Sequence, residues 1–167
     1  MKKILFLMAI LCLSASMASA QQMLEKDGFV LKWETSGDKL IVTLKAETTG
    51  WIAFGIDAES IMKGANIIIL WVDDKTGIAM AEDHFGSGRF AHKSDMKLGG
   101  SQDFQVLSGT QTETNTEIIF SIPLDSGDEY DKPLVRGQSY RLLLASNNSD
   151  NISWKHNNKY AQEIEIR

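Results

Sequence analysis

Two apolar runs of strand length, Trp51–Ile56 and Ile67–Val72, stand ten residues apart near the middle of the 167-residue chain. Both are rich in Ile, Trp and Phe and bounded by Gly or Asp, so both read as buried β-strands. Gly50 and Gly55 bracket the first run, which implies a tight entry and a backbone passing close to something. The connecting loop, Asp57–Asn66, is polar around Ile61 and Met62. A thioether placed there is either a lid on the core or a ligand, and that choice decides the function.

Residues 1–20 carry two lysines, an apolar stretch from Ile4 to Leu13 and small residues ending in Ala18-Ser19-Ala20. This is the pattern of a secretory signal peptide cleaved after Ala20. The apolar stretch is shorter than the ~20 residues that cross a bilayer. Cys12 leaves with the leader, so the expected mature chain, 21–167, has no cysteine, no disulfide and no C-x-x-C-H haem-attachment site. Removing Lys2 and Lys3 from the 17 basic residues leaves 15 against 22 acidic, a formal charge of −7. An acidic surface argues against nucleic acid and anionic membranes as partners. The length suits one domain, and no further apolar segment reaches spanning length. The expected location is outside the cytoplasm, in a bacterial periplasm.

From Phe29 onward the hydrophobic period is 2. Leu40, Val42 and Leu44 alternate with Ile41, Thr43 and Lys45 and should face the core. Expected strands cover Phe29–Glu34, Leu40–Ala46, Trp51–Ile56, Ile67–Val72, Ile78–Phe85, Phe104–Leu107, Thr116–Ile122, Ser139–Ser146, Ile152–His156 and Gln162–Ile166. Gly86–Ser101 reads as a long surface loop and Leu124–Arg136 as a polar connection. About ten short strands with frequent turns and no convincing helix define an all-β chain, an antiparallel β-sandwich, with a closed barrel as the competing architecture.

Several residues then compete for function. In the expected strand Ile152–His156, Ile152, Trp154 and His156 share one face, opposite Ser153 and Lys155. A histidine so placed is more often a hydrogen-bonded core or rim residue than a ligand. Glu82-Asp83-His84 with Asp95 offers groups for a hard or borderline cation, but without a recognised metal spacing a solvated strand end is the plainer reading. His92 falls in the same loop region. Met80, within a strand, reads as packing, and Met96 as a second alternative thioether. Asp125, Asp128, Glu129 and Asp131 read as a solvated acidic loop. Trp51 and Trp71 read as core, while Trp33 and Trp154 complete a set that offers a sugar-stacking surface. No nucleophile triad, P-loop, Rossmann glycine pattern or paired catalytic carboxylates stands out, which argues against an enzyme.

The early strand with Trp33, the block Gly50-Trp51-Ile52-Ala53-Phe54-Gly55, the segment Met62-Lys63-Gly64-Ala65-Asn66 leading into Ile67–Trp71, Asp83-His84-Phe85-Gly86 and Asp95, Phe120–Leu124 with Asp128 and Asp131, and the late Ala145 and His156 together resemble the DOMON family. The resemblance spans nearly the whole of 21–167. It implies an Ig-like sandwich that binds either haem b or sugars between loops and sheet. It further implies Met62 and His156 as axial ligands of a non-covalent haem b, two residues far apart in sequence but able to meet at one end of a sandwich. His156 is followed here by Asn157-Asn158-Lys159 in place of the family's Gly-rich stretch. Methionine–histidine ligation raises a haem's potential and suits electron transfer. The reading is a secreted single-electron carrier with a redox partner protein, either soluble or membrane-bound. Its rivals are a haem-free carbohydrate or small-ligand module and a purely structural interaction domain. Mass spectrometry of the exported protein is expected to find Gln21 at the N-terminus; a mature chain retaining Lys2 and Lys3 contradicts the leader.

Overall fold

Alternation at every second residue builds two sheets that face each other across an apolar core. The computed structural model describes residues 21–167; the leader expected at 1–20 lies outside them. The strands are β1 (Gln22–Lys26), β2 (Phe29–Ser36), β3 (Lys39–Ala46), β4 (Ile52–Ile56), β5 (Asn66–Val72), β6 (Ala79–Gly88), β7 (Ala91–Ser94), β8 (Gln105–Gln111), β9 (Thr116–Pro123), β10 (Ser139–Ser146) and β11 (Asn158–Glu165). One turn of helix, α1 (Asp95–Leu98), follows β7. One sheet runs β1-β2-β3-β9-β8, the other β11-β10-β4-β5-β6-β7. Every strand pairing is antiparallel. The fold is therefore an antiparallel β-sandwich of two open sheets, not a closed barrel.

The core fills the space between the sheets. Leu40, Val42 and Leu44, fully buried as their alternation requires, join Phe29, Leu31, Ile118 and Phe120 from one sheet. Ile52, Phe54, Ile68, Leu70, Leu142 and Leu144 enter from the other. Phe54 and Phe120 meet edge to face at the centre, ring centroids 5.6 Å apart and planes at 68°, a geometry that suits the ring quadrupoles.

Four expectations about elements need correction. β1 was not foreseen; its burial is incomplete, so its sequence carries only a weak alternation. The stretch expected as an unstructured loop from Gly86 holds the end of β6, all of β7 and α1. Ile152–His156 is a turn and not a strand, with Trp154 60 % exposed. The last strand instead begins at Asn158 and runs to Glu165, replacing the shorter Gln162–Ile166.

Phe120→Ala removes half of the central aromatic pair from a fully buried site. The expected loss is about 3–5 kcal/mol of unfolding free energy, read as a lower urea midpoint at unchanged slope.

Candidate functional site

An antiparallel sheet usually shows water one polar face. β4 and β5 do not. Every residue of β4 is buried, and so are five of the seven in β5. Their inner residues belong to the core, while Ala53, Ile67 and Ile69 point outward and form a second apolar cluster with Trp51, Ala58 and Ala65. Met62, Trp71, Leu143, Ala145 and Ile152 pack against it. Two loops cover this outer face, 57–65 between β4 and β5 and 147–157 between β10 and β11.

Loop 57–65 carries Met62, which is half-buried. It lies on the β6–β7 hairpin through Met62 N–H to Arg89 O at 3.4 Å, Gly64 N–H to Gly86 O at 2.8 Å and Gly86 N–H to Ala65 O at 2.8 Å. Gly86 is required: a Cβ there would collide with the Met62 carbonyl. Ile61, immediately before Met62, sits at φ 58°, a left-handed conformation that costs a β-branched residue about 1–3 kcal/mol. Lys132 holds the loop from outside through Glu59 at 3.0 Å and Asp57 at 3.6 Å.

Loop 147–157 carries His156 and Trp154. Buried Asn147 organises it, accepting from Ser149 N–H at 2.9 Å and donating to Lys155 O at 2.7 Å. Gly50 permits the loop's approach, since a Cβ there would strike the Asn147–Ser149 backbone. His156 is half-buried. Burial first, then Lys159 and Lys155, pushes its pKa down, which favours the neutral imidazole that ligates metals.

Ser146 pairs with Ile52, and Asn66 pairs with Ile56. The loops with Met62 and His156 therefore leave opposite ends of β4. No hydrogen bond links them. Lys155 is exposed in a loop, so it has no strand face. Met80 and Met96 are exposed by 44 % and 60 %, and Met80 is not the packed residue expected. Trp51 and Trp33 are buried as core residues, the first in the outer cluster. A surface concavity of about 510 Å³ is lined by polar residues from Glu47 to Asn148 and contains neither Met62 nor His156.

Sequence reasoning treated His84 and Asp83 as one solvated strand end. The register divides them. His84 pairs with outward Ile67, and Asp83 with inward Ile68. His84 contacts Glu82 at 3.1 Å and His92 at 2.9 Å; burial lowers the pKa of both imidazoles. Asp83 is fully buried, Asp95 is 1 % exposed and Asp131 6 %. Neither the strand end nor the acidic loop is solvated at these three positions. The signal available in sequence was the alternation within the strand, which puts Asp83 on the same face as Ala79 and Ala81, both packed against the core.

The fold and the outer face define a family. A DOMON domain model matches residues 25–147, and the chain belongs to the DOMON family. Met62 lies within the matched segment and His156 beyond it. The chain is 25% identical over 117 residues to DBH-like monooxygenase protein 2 of Mus musculus, covering 69% of this chain and 18% of that protein. It thus spans about a fifth of the length of the curated relatives it matches. Among solved structures it resembles the cytochrome domain of Myriococcum thermophilum cellobiose dehydrogenase, with a TM-score of 0.61 and 14% identity over 88% of this chain and 82% of that one. The cytochrome b domain of pyranose dehydrogenase from Coprinopsis cinerea gives a TM-score of 0.60 at 11% identity, over 88% and 81%. At such identities the likeness is one of fold.

The buried acids generate a pH prediction. Burial first, then the charge of Asp131, pushes Asp83 up to about 8. Burial, then Asp131, Asp128 and Asp103, pushes Asp95 to about 7, and burial with Asp103 brings Asp131 to about 6. An unfolded Asp titrates near ~3.9. Between that value and about 8 the folded chain holds protons that the unfolded chain has released, so raising the pH favours unfolding. In buffer with EDTA the melting temperature is expected to fall from pH 5 to pH 8, and Asp83→Asn should flatten that slope.

Proposed function

We propose that this domain binds haem b on the outer face of the β4–β5 sheet and passes single electrons to a partner protein. The observation that carries the reading is that apolar face, bordered by a thioether loop at one end of β4 and an imidazole loop at the other. The residues fit such a group. Ala53, Ala58, Ala65 and Ala145 leave room beside the face for such a group, and the buried Trp51 Nε1–H has no acceptor, which an acidic substituent of the group would satisfy. Haem supplies the one-electron iron chemistry when bound.

The chain's own residues do the rest. Met62 offers a soft thioether that favours reduced iron, and His156 a neutral imidazole that holds either state. Ile67, Ile69 and Leu143 would exclude water from the bound group. Because Met62 and Ile152 already pack against the cluster, these loops would have to lift to admit the group, and the strain at Ile61 would lower the cost of moving the first. The reading includes export through the leader, and no helix among the described residues is long and apolar enough to cross a membrane. The domain is proposed as a carrier that is not itself an enzyme, the monooxygenase name of a relative applying to a protein of which this chain spans 18%.

A second reading rests on Trp154. Its 60 % exposure on the 147–157 loop offers a ring on which a sugar stacks, with no haem required.

Haem titration separates these. Wild type is expected to give a low-spin, six-coordinate spectrum with a methionine-to-iron charge-transfer band. Met62→Ala should remove that band and lower the potential, and His156→Ala should weaken haem retention more. If His84→Ala loses haem while His156→Ala keeps the native spectrum, the ligand is His84. Glycan binding that persists without haem and disappears in Trp154→Ala supports the second reading.

A further inference from the structure

The β6–β7 hairpin is bulged. His84 stands opposite Ser94 and Phe85 opposite Lys93, but the next matched pair is Gly88 with Ala91. His92 therefore faces two small residues, Gly86 and Ser87, and has no cross-strand partner of its own. It leans back to His84, and the two Nδ1 atoms lie 2.9 Å apart. We propose that this imidazole pair binds a borderline divalent transition metal, at a site separate from Met62 and His156 and independent of whether the outer face takes haem.

Two features of the hairpin build the pair. Alternation puts His92 and Ser94 on one side of β7, and Ser94 is the partner of His84, so both imidazoles leave the sheet on its outward side. The bulge then re-aims His92, which is a common use of bulges beside functional sites. The rings meet edge to face with centroids 4.9 Å apart. His84 is 9 % exposed and His92 half-buried, so a cation reaches the pair from the His92 side.

Glu82, two residues before His84 and on the same face, orients the inner ring. Its Oε2 lies 3.1 Å from His84 Nε2. A carboxylate only accepts, so Nε2 carries the proton and His84 Nδ1 presents a lone pair to His92. A carboxylate behind a histidine is the arrangement that fixes the tautomer of a metal ligand and raises its basicity. In the pair as it stands, the proton on His92 Nδ1 lies between the two nitrogens. A cation takes that place when His92 shifts the proton to Nε2. Burial lowers the pKa of both rings, which keeps them in the neutral form that ligates. Of the charges acting on His84, Glu82 outweighs Lys97. Asp83, between the two outward residues, faces the core and takes no part.

The donor set selects the ion. Imidazole suits copper and zinc, whereas calcium and magnesium take oxygen. Metal–imidazole bonds of about 2.0–2.1 Å place two nitrogens about 2.8–3.0 Å apart at a right angle and about 3.3–3.4 Å apart at the tetrahedral angle. The observed 2.9 Å matches the right-angled pair. Copper(II) in tetragonal geometry therefore fits the hairpin as it stands, and zinc requires the rings to separate by about 0.4–0.5 Å. The Irving–Williams order points the same way. With water in the remaining positions, the ion clips β7 to β6 beside the hairpin tip, where Arg89 O accepts from Met62 N–H at 3.4 Å.

The test titrates the haem-free, EDTA-treated chain with copper(II) chloride and, separately, zinc chloride, reading affinity by competition calorimetry and ligation by electron paramagnetic resonance. One equivalent of copper(II) is expected to bind, tighter than zinc(II), with hyperfine splitting from two imidazole nitrogens. His92→Gln, on the half-buried edge strand, should keep the far-UV circular dichroism of wild type and bind copper(II) more weakly by about tenfold or more. Glu82→Gln should keep the two-nitrogen signal and weaken binding by about 10–100-fold, the usual effect of losing a ligand's supporting partner. Copper(II) bound no more tightly by wild type than by the His84→Gln His92→Gln double variant overturns the proposal. So does a signal without nitrogen splitting, or copper binding that falls in His156→Ala and not in His92→Gln.

Discussion

β4 is buried on both sides, and the rest of the molecule accommodates that fact. One side meets the five-stranded sheet across a core centred on Phe54 and Phe120. Among the described residues no second sheet covers the other side, and two loops take its place. Loops are poor at covering apolar surface because their backbone polar groups also need partners. Here the partners are explicit: the β6–β7 hairpin for loop 57–65, and Asn147 with Trp51 for loop 147–157. Two glycines, Gly50 and Gly86, let those backbones come close enough. A surface covered this way is released at lower cost than one sealed by a sheet, which suits a face that takes a ligand.

Much of the sandwich was legible because its signal is local. Alternation at Leu40, Val42 and Leu44 and the apolar runs of β4 and β5 specify strands and their inner faces without reference to distant residues. The glycines around the first run signalled a close approach, and at Gly50 the approaching backbone is that of loop 147–157. What escaped was set by tertiary context. Ile152, Trp154 and His156 have the spacing of a strand face, yet Asn147 captures the Lys155 carbonyl and bends the segment into a loop. β7 and α1 lie in a stretch of Gly, Lys and Ser whose pairing with β6 is invisible to periodicity.

The site was legible in part for a related reason. Met62 was singled out as a loop thioether among polar residues, and it lies against the outer cluster. Asp83 and Asp95 were grouped but read as solvated, and Asp131 was read apart from them in an acidic loop, since charge in sequence is ordinarily charge in water. Their burial needs three segments a dozen or more residues apart to converge, and nothing in any one segment announces the others. Asp131 is the plainest case. It sits in an acidic run whose neighbours Glu129 and Lys132 stay at least partly exposed, while it alone turns in.

The two regions rest on common supports. Residues 83 to 86 of β6 hold, in order, an acid of the inner pocket, an outward imidazole, the Phe85 ring 5.4 Å from Tyr130 and the glycine on which the Met62 loop lies. Asn66 ends that same loop and stands against Asp131. Repulsion among three desolvated carboxylates acts on β6, α1 and the 124–136 connection, the first of which is the floor of loop 57–65. Lys132 then ties the 124–136 connection to Glu59 and Asp57 within the loop. Neutralising the pocket therefore steadies the Met62 loop at its floor, its foot and its outer edge, through contacts that each involve a different residue.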